Sequence, residues 1–142
     1  MIDRYEIRLG HDETKPHLRL RVHGYAYPDR AEPDGLDLLR CDADVHADPV
    51  RAAFPLQIVV NDLLELRDYL AEINSGNGPQ RAFSFAGGLL NIDFAPSRRG
   101  PVLCAVRVKS IEASHVRVEY LITLEPESIT RSLQELGAVE TP

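Results

Sequence analysis

Between Phe54 and Ile73 the hydrophobic repeat of this 142-residue chain changes from two residues to three and four, and that switch limits what the chain can become. Val50 to Val60 reads as a strand, in which Pro55 cannot donate to a ladder and so predicts an edge position or a bulge. From Asn61 the pattern is helical. Leu63, Leu66, Leu70 and Ile73 form one apolar stripe, with Glu65, Arg67, Asp68 and Glu72 on the other faces. The Asn61 side chain is placed to cap the first turn, and Asp62 puts negative charge at the positive end of the helix dipole. Asn74 to Pro79, rich in Gly and Asn, ends the helix.

Short strands surround this helix. Tyr5, Ile7 and Leu9 alternate with polar neighbours, and Leu18, Leu20 and Val22 alternate with Arg19, Arg21 and His23 in a run reaching Tyr27. After a loop at Pro28 to Gly35, Leu39, Cys41, Ala43, Val45 and Ala47 face one way and Arg40, Asp42, Asp44, His46 and Asp48 the other. Phe83 and Phe85, a turn at Gly87-Gly88, and Leu90, Ile92 and Phe94 predict a hairpin. Strands follow at Val102 to Val108 and Val116 to Leu124. A second helix begins at Pro126, whose missing N–H costs nothing at the first helical position. Leu124 is placed to staple onto Ile129, Leu133 and Leu136 continue the stripe, Gly137 stops it, and the tail from Ala138 is expected to fray.

The expected fold is therefore α+β: about eight mostly antiparallel strands, as a sandwich or a strongly curved sheet, with two covering helices. Length and a 44% hydrophobic content suit a single domain over 1–142. Four strands and a helix occur twice. A 63-residue offset relates Cys41 to Cys104, Leu70 to Leu133 and Ile73 to Leu136, so two β4-α halves, 1–75 and 76–137, fit a duplication. Generic alternation accounts for the same pattern and is the simpler explanation.

Charge and cysteine content narrow the function. A formal charge of −6 disfavours a nucleic-acid binder held by overall charge and favours a basic partner. No secretion signal or membrane-length apolar run is present, so Cys41 and Cys104 read as reduced core thiols of a cytoplasmic protein. No catalytic signature or cofactor motif occurs. The sharpest chemical pattern is Asp42, Asp44, His46 and Asp48 on one strand face, a set of ligand types suited to a divalent cation. Alternate residues lie about 6.5 Å apart along a strand, however, which spreads the four too widely for one ion. Pairing with Arg19, Arg21 and His23 on the preceding strand is the stronger expectation. Arg98-Arg99-Gly100 could meet a phosphate at a turn, but lacks a strand-to-helix cradle. The acidic helix face, Asp62, Glu65, Asp68 and Glu72, joins the acidic strand as a candidate surface for a basic protein.

Four segments carry a family resemblance: QIVVNDLLELRDYL, the hairpin FSFAGGLLNIDF, the G-x-V start of GPVLCAVRV, and the closing VRVEYLITLEPESITRSLQEL. From Val50 to Leu136 this order resembles the WapI-type immunity proteins of polymorphic toxin systems. The family usually opens with an aromatic-rich strand, where this chain has HLRLRVHGY and no tryptophan. The resemblance implies a non-enzymatic protein that neutralises a toxin domain by binding it, and transfers no individual residue; the chain itself is expected to be a monomer or a homodimer. A metal-binding protein or metal-dependent enzyme using the acidic strand, and a structural oligomer subunit pairing near Pro55, are the alternatives.

Overall fold

In a computed structural model the described residues are 5–27, 37–97, 100–112 and 116–139. The expected loop at Pro28 to Gly35, the Arg98-Arg99 pair and His115 lie outside them. Two antiparallel meanders account for the strands, each in sequential order. The first comprises β1 (Tyr5–Leu9), β2 (His17–Tyr25), β3 (Leu38–Ala47) and β4 (Val50–Val59). The second comprises β5 (Arg81–Phe85), β6 (Leu90–Ala95), β7 (Val102–Lys109) and β8 (Arg117–Leu124). Helix α1 (Val60–Asn74) follows the first sheet and α2 (Pro126–Leu136) the second. The architecture is thus α+β, with eight antiparallel strands in two sheets of four and no closed barrel.

Period-two alternation decides which side of each sheet is dry. Ile7, Leu18, Leu20, Leu39, Cys41, Phe54 and Ile58 are buried from the first sheet, as are Phe83, Phe85, Ile92, Phe94, Cys104 and Val106 from the second. Together with the helical stripe Leu63, Leu66, Leu70 and Ile73 they form one contiguous apolar cluster. Both cysteines are buried and free, as their strand positions predict. Pro55 lies opposite Asp42 in β4, an edge strand, where proline is tolerated.

Four expectations need correction. Helix α1 begins at Val60 after an extended Val59, with no side-chain cap, so Asn61 is not the cap. The Val60 amide instead donates to the Asp37 carbonyl at 2.9 Å, satisfying that orphan group through the backbone. The β5–β6 connection is not a two-residue turn but a 3-10 turn at Ala86–Gly88 with positive φ at all three residues, 55°, 65° and 96°. Two of the three are glycine, which carries that geometry without steric cost. Val116 precedes β8 and is exposed rather than inward-facing. Finally, Val139 is 6% exposed and its amide bonds the Leu136 carbonyl at 3.1 Å, so Ala138 and Val139 continue from the helix instead of fraying, the rest of the tail lying outside the described residues.

Tyr69 also belongs to the buried stripe. It is 1% exposed, its ring centroid lies 5.3 Å from those of both Phe83 and Phe94, and its hydroxyl donates to the Pro79 carbonyl at 2.5 Å. This aromatic group seats α1 on the second sheet. Helix α2 packs on α1 and along β1, so a helix from the end of the chain covers the edge of the first sheet.

Candidate functional surfaces

The acidic stripe of β3 is drawn into an ion ladder by the register of its neighbour. Arg19 lies opposite Asp44 and Arg21 opposite Asp42. Asp44 accepts from Arg19 Nη2 at 3.0 Å and from Arg21 Nε at 2.6 Å. Asp42 accepts from Arg21 Nη2 at 3.3 Å and pairs with His23 Nε2 at 2.8 Å. Glu6 extends the network to Arg8 at 3.6 Å and Arg19 at 3.9 Å. Asp44 is only 5% exposed beneath these guanidiniums, so its charge is spent inside the ladder.

The rest of the stripe goes elsewhere. His46 stacks on His17 with centroids 4.4 Å apart, and burial is the main cause holding its pKa below the ordinary value, followed by the nearby His17, Arg19 and Arg51. Asp48 sits in the exposed β3–β4 turn, 3.6 Å from Arg51. Among the described residues no three His, Cys, Asp or Glu side chains gather in a way that could hold a metal ion.

The α1 acids remain accessible. Glu65, Asp68 and Glu72 are exposed, and Asp62 is half-buried at the amino-terminal end of the same face. Burial, and then the charge of Glu65, push the Asp62 carboxyl above its usual range. Two cations reach this face, Arg81 at 3.6 Å from Glu65 and Arg67 at 3.4 Å from Asp68, both in exposed pairs worth little in water. The successive carboxylates stand three and four residues apart, where like charges oppose the helix by about 0.2–0.5 kcal/mol per pair.

A third constellation has no counterpart in the sequence reading. His11, after β1, contacts Ser128 Oγ through Nδ1 at 3.0 Å and Glu135 Oε1 through Nε2 at 3.0 Å. A carboxylate can only accept, so Nε2–H donates to Glu135 and Nδ1 accepts the Ser128 hydroxyl proton. Glu135 Oε1 also accepts the Arg8 amide at 2.8 Å, and Ser132 Oγ donates to the Arg8 carbonyl. Hydroxyl, imidazole and carboxylate in series are the parts of an activated serine; here Ser128 and His11 stand at the wall of a depression of about 220 Å³, and Glu135 is bound to the backbone of β1. The arrangement is a clasp that fastens α2 to the edge strand. Its members are 117 and 124 residues apart, and no local pattern could announce them.

Comparison with known proteins adds one positive finding. The model of the immunity protein WapI-like family matches residues 8–141, reaching well before Val50, where the sequence resemblance begins. No curated protein and no solved structure matches the chain. Among the described residues no helix is long and apolar enough to cross a membrane.

Proposed function

We propose that this chain, which belongs to the immunity protein WapI-like family, is a non-enzymatic binding protein that neutralises a cognate toxin by covering the toxin's active surface. The observation that carries the reading is the family match over residues 8–141. The distribution of charge supports it and suggests where the toxin docks. Of the two acidic stripes, the one on β3 is largely neutralised by Arg19, Arg21 and His23, whereas Glu65, Asp68 and Glu72 on α1 stay in water. That like-charged face weakens its own helix, and a basic groove such as a nuclease uses for its substrate would relieve the repulsion. Asp62 joins this docking face and lines one depression with Asp42 of β3, whereas His46 and Asp48 line another with Lys15 and Arg51 and are left out of it.

Co-expression with candidate toxin domains from the neighbouring genes is the direct test. Protection and a stoichiometric complex are expected; a toxin that kills equally well with and without the protein defeats the proposal. The α1 face is tested separately with Glu65→Lys and Asp68→Lys. The paired variant should fold normally and lose about tenfold or more in toxin affinity, with the wild-type affinity falling as salt rises. Unchanged binding would move the docking site off α1.

A further inference from the structure

The two sheets finish their outer faces differently. On the first sheet the outward positions carry Glu6, Arg8, Arg19, Arg21, Asp42 and Asp44, joined in the ladder described above. On the second, the centre of the outward face is apolar. Leu121 is 66% exposed and Leu103 49%, on adjacent strands, and Ala105 lies directly opposite Leu121. Ala105 floors a depression of about 340 Å³ bounded by Asp93, Arg107, Glu119 and Leu121. Solvated antiparallel faces ordinarily alternate to polar residues, so large exposed leucines over alanine mark a surface made to be covered.

Charge identifies the occupant. Asp93 lies opposite Ala105, and Arg107 is two residues further along β7, so both stand on the outer face as diagonal neighbours. Arg107 lies directly opposite Glu119, but Glu119 is held by Arg117 at 3.4 Å, and neither Asp93 nor Arg107 forms an ion pair among the described residues. An unpaired acid and an unpaired base flanking one apolar centre make the face self-complementary. We infer that the outer face of the second sheet is a two-fold interface between two copies of this chain. A two-fold axis lying between the copies and bisecting the Asp93–Arg107 direction sets Asp93 of each against Arg107 of the other, and passes over Ala105 and Leu121. The small Ala105 leaves room for the leucines of the opposing sheet, which pack at about 10 Å. Strands of five, six, eight and eight residues, at about 3.3 Å per residue and about 4.8 Å apart, give about 430 Å² per copy, or about 860 Å² in total, the size of a weak, reversible interface. A dimer dissociating in the micromolar range or above follows.

Sedimentation equilibrium of the full chain from about 5 to 500 µM tests this, with thermal melts confirming that each variant is folded. The wild-type protein should pass from monomer to dimer over that range. Leu121→Asp should remain monomeric, Asp93→Arg and Arg107→Asp should each weaken association about tenfold or more, and the double exchange should restore it. A wild-type protein monomeric at every concentration overturns the inference, as does dimerisation unaffected by Leu121→Asp. A monomeric protein whose Leu121→Asp variant no longer protects cells in the co-expression assay would show that the toxin occupies this face instead. Both results are separable from failure of the immunity reading, because association is measured without the toxin.

Discussion

At the scale of single residues, Asp44 and Asp48 began as equal members of one acidic stripe and end in opposite situations. Asp44 is 5% exposed between two guanidiniums, while Asp48 faces water in a turn. Removing a nearly buried carboxylate strands the arginines it neutralised, so Asp44→Ala should cost about 2 kcal/mol in a urea titration. Asp48→Ala should stay within about 0.5 kcal/mol. The histidines add a pH dependence. Burial is the largest influence on both His11 and His46 and lowers each pKa from 6.5, against the opposing pull of Glu135 on His11 and Asp44 on His46. The unfolded chain therefore binds protons that the folded chain resists. The stability these two histidines contribute is complete above pH 6.5 and is lost as the pH falls below it, towards the folded values. Urea midpoints measured downward from neutral pH should fall, and His11→Asn should flatten that slope; a slope unchanged by the substitution would place the effect elsewhere.

At the scale of elements, the contrast between α1 and the β1–α2 pair shows what a sequence can and cannot disclose. Strand faces, the two apolar helical stripes, Pro126 at the start of α2 and the edge position of Pro55 were all legible, because each depends on residues within a few positions of one another. The Arg19–Asp44 and Arg21–Asp42 pairings were also foreseeable, since adjacent strands joined by a loop place their faces side by side. The cap of α1 lies at Val59, two residues before the expected Asn61, because the first helical amide is satisfied by the distant Asp37 carbonyl and not by a local side chain. The His11, Ser128 and Glu135 clasp was invisible, since only the folded chain brings the β1–β2 turn to the last helix. Glu135→Ala should therefore loosen an element joined by tertiary contact alone. We expect a loss of about 2–3 kcal/mol and faster hydrogen exchange at the Arg8 amide, with Glu135→Gln, which keeps an acceptor, losing less. On α1 the opposite sign is expected. Asp68→Asn with Glu72→Gln removes two like-charge pairs, Glu65–Asp68 and Asp68–Glu72, and should raise stability by a few tenths of a kcal/mol while weakening the proposed docking of a toxin.

At the scale of the whole molecule, the two sheets are bound to each other by crossing helices. Tyr69 of α1 packs among Phe83 and Phe94 of the second sheet, and α2, last in the chain, lies along β1 of the first. Neither four-strand-plus-helix unit keeps its cover when separated from the other. Cleavage within Gly76 to Gly78, a surface loop, should give two fragments that are unfolded or aggregated alone and regain native circular dichroism when mixed. Two independently folded fragments would contradict this interlocking.

The edges of the first sheet carry a last consequence. On β1 the Arg8 backbone is occupied by Glu135 and Ser132, and midway along β4, the other edge strand, Pro55 has no amide to donate. An incoming strand thus finds no continuous template on either side. The sheet is guarded against fibril-like extension during folding, and any partner binding by strand addition would have to look elsewhere.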